Sequence, residues 1–199
     1  MINRPSITKE HSFTGHKDAI YALCGLNGHE FVSGGADGYV IKWDTNGYAA
    51  GNVVAKVPTS VYALSYDPLR DHLFIGQNFD GLHVIDPVAK REITSLQMTK
   101  AHIFDIQFDD DFLYIATGDG AIYIVSRESW KLVKMLNLSQ KSARTLQVDD
   151  HRIYAGYSDG CIRVIDKKNH KLIQEIQAHK NSVFSLCNRR HRFGSVCTV

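Results

Sequence analysis

The sequence of 199 residues has no run of about 18 apolar residues that could span a bilayer, and its opening, MINRPSITKEHSF, lacks the apolar core of a signal peptide. A soluble, cytoplasmic protein with no membrane partner is therefore expected. Cysteine is scarce: Cys24, Cys161, Cys187 and Cys197 stand far apart and form no C-x-x-C pair. That excludes the usual zinc spacings and a disulfide framework, and leaves reduced thiols as the expected state. No glycine loop of phosphate-binding type, no H-E-x-x-H and no nucleophile elbow occurs, so the sequence offers no catalytic set, no cofactor site and no metal site. Charge of one sign is missing too. The net charge is +2, but Arg189, Arg190 and Arg192 supply three positive charges, and without them 20 basic residues face 21 acidic ones. The basic footprint of a nucleic-acid binder is absent.

What is present is repetition. Asp-Gly occurs at Asp37-Gly38, Asp80-Gly81, Asp119-Gly120 and Asp159-Gly160, at intervals of 43, 39 and 40 residues. A second marker runs in register with it. Ile20-Tyr21-Ala22-Leu23, Val61-Tyr62-Ala63-Leu64, Ile103-Phe104-Asp105-Ile106, Ala143-Arg144-Thr145-Leu146 and Val183-Phe184-Ser185-Leu186 recur at steps of 41, 42, 40 and 40. Between the markers, β-branched and aromatic runs of about four to seven residues alternate with Gly, Asp, Asn and Pro clusters, which is strand and turn chemistry. Asp-Gly between two such runs signals a tight hairpin, because glycine accepts the positive φ the turn requires. No helical periodicity of comparable length competes. Each unit reads as four strands, a to d. In the first they fall near 19–24, 30–34, 39–43 and 52–57.

A period near 40 with four strands per unit describes an all-β fold, the blade of a β-propeller. Thr14-Gly15-His16 followed by FVSGGADGYVIKWD, residues 31–44, resembles a unit of the WD-repeat family with both signature dipeptides, Gly-His and Trp-Asp. The resemblance extends over residues 8–186 and weakens after the first unit. It implies a hydrogen-bonded tetrad of His16, Ser33, Asp37 and Trp43. The later units keep the Asp but replace other members: Ile85 stands for the Trp and Val57 for the His in the second unit, Val125-Ser126 replaces Trp-Asp in the third, and Ala155 replaces the Ser in the fourth. The fifth regains a His at His179. Apolar packing is expected to hold those blades.

The resemblance also implies a non-enzymatic scaffold that docks a protein or peptide partner. The second residue of each strand-a marker, Tyr21, Tyr62, Phe104, Arg144 and Phe184, lies near the channel mouth by this reading, and aromatic and Arg side chains are frequent binding anchors. Packing between blades is the competing role for the aromatics, whereas an unpaired Arg144 inside such packing would be costly. Asp109-Asp110-Asp111 has the composition of a cation site but occupies an a–b turn, where solvated acids are ordinary. Alternative functions are a small-ligand or enzymatic propeller with a central-channel site, for which Asp105 is the one inner-strand candidate, and a truncated product with no function of its own.

The ring is expected to be incomplete: a partial propeller over residues 1–186 and a tail, 187–199, without the repeat pattern. Residues 7–13 look like a leading strand d and residues 182–187 a trailing strand a. Seven blades of about 40 residues would need roughly 280 residues. CNRRHRFGSVCTV stands where a turn and strand b should follow, which suggests a frameshift or splice junction near codon 187.

Overall fold

The computed structural model describes residues 6–47, 50–189 and 192–197, with side chains through Cys187. Its strands follow the repeat. Blade 1 comprises β1 (Ile20–Gly25), β2 (Glu30–Gly35), β3 (Tyr39–Asp44) and β4 (Asn52–Lys56), within one residue of the sequence expectation. Blade 2 comprises β5 (Val61–Asp67), β6 (His72–Gln77), β7 (Leu82–Asp86) and β8 (Arg91–Leu96). Blade 3 comprises β9 (Ile103–Phe108), β10 (Phe112–Thr117), β11 (Ala121–Ser126) and β12 (Leu132–Asn137). Blade 4 comprises β13 (Ala143–Val148), β14 (Arg152–Tyr157), β15 (Cys161–Asp166) and β16 (Leu172–Gln177). Each is an antiparallel meander in chain order. The fifth sheet has two strands, β17 (Val183–Arg189) and β18 (Arg192–Cys197).

The Asp-Gly turns adopt the backbone the sequence demands. Gly38 has φ 72° and Gly120 φ 86°, and a Cβ on Gly120 would stand 2.2 Å from the carbonyl oxygen of Ser139. Glycine there serves both the left-handed turn and the approach of the following d–a loop.

Blades stack through their inner strands, β1 on β5, β5 on β9, β9 on β13 and β13 on β17. The fit is one of volumes. A Cβ on Gly34, Gly76 or Gly156 of strand b would come within 2.4, 2.4 or 2.7 Å of Val61, Ile103 or Val183, each the first residue of the next blade's strand a. At the remaining junction Ala116 and Ala143 share the work, both fully buried in one cluster. A missing side chain on one blade thus accommodates a β-branched one on the next, the interdigitation that close packing requires.

Residues 7–13 carry no ladder, so the leading strand d expected there is not formed among the described residues. Phe13 packs instead against Phe31 and Trp43, with ring centroids 5.3 and 5.5 Å away. At the other end, β17 is the trailing inner strand. β18 pairs with it from Val183↔Cys197 to Arg189↔Arg192, in the place of strand b, although its residues do not announce one. The side chains of Arg189, Arg190 and Arg192 lie outside the described residues.

Candidate functional site

The four blades present two kinds of edge. One face, here called the upper, carries the d–a loops and the b–c turns, and every strand a starts there. The five marker residues sit on this face for a reason visible in the register. Between Ile20 and Ala22, Val61 and Ala63, Ile103 and Asp105, Ala143 and Thr145, and Val183 and Ser185, strand a has one residue more than strand b. The extra residues are Tyr21, Tyr62, Phe104, Arg144 and Phe184. A β-bulge leaves its extra residue unpaired and re-aims the side chain. Five successive bulges therefore bring five side chains into one row.

That row is continuous. Tyr21 and Tyr62 stack with centroids 4.5 Å apart and an interplanar angle of 6°. Tyr62 meets Phe104 edge-on at 5.9 Å. The Arg144 guanidinium lies 4.1 Å over Phe104 and 5.7 Å from the centroid of Phe184. The aromatics touch from blade to blade: Tyr62 and Phe104, each between two neighbours, are half-buried, and Tyr21 and Phe184, at the two ends of the described row, are 47% and 48% exposed. Arg144 makes no hydrogen bond or ion pair among the described residues, its Nε is buried without a partner, and burial pushes its pKa below the ordinary guanidinium value.

Two members of this face escape the marker pattern. Phe79, 57% exposed, has φ 69°, a left-handed backbone that costs a bulky residue about 1–2 kcal/mol. Its ring lies 5.3 Å from His102, which in turn contacts Tyr62 at 5.8 Å and Phe104 at 5.7 Å. His102 Nδ1 hydrogen-bonds the Asn78 side-chain oxygen. The signal for Phe79 is in the sequence: before the Asp of the turn the other blades carry Ala36, Gly118 and Ser158.

His16, Ser33, Asp37 and Trp43 come together in blade 1. The Trp43 indole N–H donates to Ser33 Oγ at 2.7 Å, the Ser33 hydroxyl reaches His16 Nε2 at 2.7 Å, and His16 Nδ1 reaches both Asp37 oxygens at 3.0 Å. All four are satisfied when His16 carries its proton on Nδ1 and accepts from Ser33. Burial alone would raise the Asp37 carboxyl, but N–H donors from Lys17, His16 and Tyr39 together hold it below the usual carboxylate range.

The later blades are not held by apolar packing alone, because the second or third residue of strand c supplies a substitute. In blade 4, Arg163 pairs with Asp159 at 3.0 Å and with Glu175 at 2.7 Å, while lying 4.4 Å over Tyr157. In blade 3, Tyr123 and Thr99 approach the same oxygen of Asp119 at 3.4 and 3.3 Å. In blade 2, His83 accepts from Gln77 at 2.7 Å and donates to Glu92 at 2.7 Å.

The lower face carries ties between blades. Arg127, which follows β11, pairs with Asp67 of blade 2 and donates to the Asp109 carbonyl of its own blade; Arg127 is 4% exposed and Asp67 2%. One blade on, Lys167 pairs with Asp109 at 2.8 Å and donates to the Asp149 carbonyl at 3.3 Å. Rings repeat the step: His72 lies 5.7 Å from Trp130, and Phe112 6.3 Å from His170. Asp109 is thus engaged by Lys167, by the Asp111 and Phe112 N–H groups and by the Tyr114 hydroxyl. Among the described residues no group of three or more His, Cys, Asp or Glu side chains could hold a metal ion.

Asp105, on β9, is spent between blades. Its carboxylate accepts from the Ile106 and Leu146 N–H groups at 2.8 and 2.7 Å, from Thr145 Oγ1 at 3.1 Å and from Gln107 Nε2 at 3.3 Å. Enclosure between the two inner strands pushes its pKa up in spite of these donors.

Residues 7–44 match the family described as WD domain, G-beta repeat. No curated protein matches the chain. Among solved structures, the computationally designed Ika8 protein superposes with a TM-score of 0.78 at 19% identity, over 93% of this chain and 57% of that one. The chain therefore spans little more than half the length of the structure it is similar to. Residues 7–44 match a WD repeat, and the described strands as a whole, four four-stranded antiparallel sheets and one of two strands, have the blade arrangement of a β-propeller. Proteins built from such repeats are, in general, platforms for protein interaction and typically not enzymes. No helix among the described residues is long and apolar enough to cross a membrane.

Proposed function

We propose that this chain is a non-enzymatic scaffold that docks a protein or peptide partner on its upper face, through Tyr21, Tyr62, Phe104, Arg144 and Phe184, with Phe79 beside them. The observation that carries the reading is the row of five bulges, which turns side chains out of the strand alternation at every blade and leaves aromatic surface exposed next to an unpaired guanidinium. Large rigid rings give contact area at low entropic cost, and a desolvated Arg among them is a usual anchor. His16, Ser33, Asp37 and Trp43 are assigned a structural role in binding the first d–a loop to its blade. The cytoplasm is the proposed compartment, a reducing one that suits the free thiols of Cys24 and Cys161. Nucleic acid is not proposed as a partner.

A channel-site enzyme is the less supported reading, because Asp105 is consumed by donors of the two blades it joins. The test is affinity capture on the full chain and on an Arg144→Glu variant of unchanged thermal stability. A partner set that diminishes with the variant is expected; an identical set at equal occupancy would remove the upper face from the account.

A further inference from the structure

The upper face also indicates what kind of partner it takes. Arg144 is a cation whose Nε is buried without a partner among the described residues. Its guanidinium carbon lies 4.1 Å from the centroid of Phe104 and 5.7 Å from that of Phe184, so the rings on either side restrict where the charge sits before any ligand arrives. Five N–H donors in a rigid fork match a carboxylate bidentately. Within the described residues no carboxylate answers them. Asp105, the acid on the neighbouring inner strand, turns both oxygens to Thr145, Leu146, Ile106 and Gln107. The turn acids of the preceding blade and of Arg144's own are likewise engaged, Asp119 by the Thr117 hydroxyl and the Ala121 N–H, Asp159 by Arg163 and the Cys161 N–H.

The loops nearest Arg144 add the same sign, while Asp18, exposed before β1 and felt by Tyr21, is an opposite charge at the far end of the row. Lys100, Lys141 and Lys180 are exposed on the d–a loops that lead into β9, β13 and β17, the three strands whose bulges bear Phe104, Arg144 and Phe184. Lys17 holds the corresponding place before β1. A half-buried cation with no counter-charge, flanked by solvated cations and exposed rings, is complementary to an acidic segment that also carries apolar side chains. A phosphate dianion is ordinarily met by a cluster of guanidinium groups, and Arg144 is a single fork.

Resting on the docking role proposed above, we infer that the upper face selects an acidic peptide segment, with one Asp or Glu carboxylate seated bidentately on Arg144 and neighbouring apolar side chains laid on Phe104, Phe184 and Tyr62. The test uses displayed random dodecapeptides selected on the full chain. The selected peptides are then made with a fluorescein label in Glu, Gln and phosphoserine forms, and measured by anisotropy against the wild-type chain, Arg144→Gln and Tyr62→Ser. The expected result is enrichment of Asp or Glu, about a tenfold loss of affinity on Glu→Gln with the wild-type chain, and no further loss with Arg144→Gln, since each change removes the same pair. Peptides that need Tyr62 but are indifferent to Glu→Gln would overturn the acidic preference and leave the docking face standing. Tighter binding of the phosphoserine form would overturn the carboxylate assignment. Peptides indifferent to both variants, or failure to select any, would overturn the docking face itself.

Discussion

Replacing Gly76 by Ala places a methyl group 2.4 Å from Ile103 Cγ2 and 3.1 Å from the Ala63 Cβ, where the second and third blades meet. Neither neighbour has room to yield, as Ile103 is fully buried among Phe74, Leu113 and Ile115. Overpacking of this kind costs about 1–3 kcal/mol, partly offset by the roughly 0.5–1 kcal/mol that Ala gains over Gly in regular structure. Truncating the partner instead, Ile103→Ala, opens a cavity and costs about 2–5 kcal/mol. Made together, the two changes recreate the Ala116–Ala143 junction that this protein already uses between blades 3 and 4. The double variant is therefore expected to be more stable than the sum of the singles predicts, by at least about 1 kcal/mol. For a chain of this size each kcal/mol moves the midpoint by about 2–4 °C, so thermal denaturation followed by circular dichroism reads the cycle directly. Additivity within about 0.5 kcal/mol would refute the claim that blade spacing is set by paired volumes.

Two further outcomes follow from the lower face. Arg127→Met leaves Asp67 buried without its counter-charge and is expected to cost about 3–5 kcal/mol in denaturant unfolding, most of it regained in the Arg127→Met, Asp67→Leu pair; a single variant as stable as wild type would contradict the tie. His72 and His170 both have pKa values lowered by burial, with Arg127 and Arg70 adding to the effect at His72 and Lys134 at His170, against Asp67 and Asp86 at the first and Asp166 and Asp109 at the second. The unfolded chain then binds more protons than the folded one. Stability should be fully present above about pH 6.5 and fall as the pH drops below it, in melts at pH 7.5 and 5.5. A His72→Gln, His170→Gln variant should show a shallower fall, and this comparison separates the histidines from Asp105, whose raised carboxyl acts in the opposite sense.

The repeat, the blade boundaries, the four Asp-Gly turns and the row of upper-face residues were legible because each depends on local chemistry repeated at a fixed period. The bulges behind that row were not, since an extra residue in a strand is a relation between two strands. The volume exchange between blades becomes visible once the repeats are aligned, with Gly34, Gly76, Ala116 and Gly156 set against Val61, Ile103, Ala143 and Val183. Phe79 yields to the same alignment. Arg127 and Asp67 could not be paired in advance, because 60 residues and a blade junction separate them. Nor could Arg163 or His83 be recognised as substitutes for missing tetrad members, as each acts from a position that is Ile41 in the first blade.

The claim that the upper face is the docking surface is tested most directly by photo-crosslinking. A benzoyl-phenylalanine placed at Tyr21 or at Phe184 reports on the upper face, and one at Leu69, exposed on the lower a–b turn, or at Leu172, exposed on an outer strand, reports on the rest of the molecule. Adducts with a partner from Tyr21 and Phe184, and none from Leu69 or Leu172, are the predicted result. Adducts from Leu69 or Leu172 with none from the upper positions would contradict it.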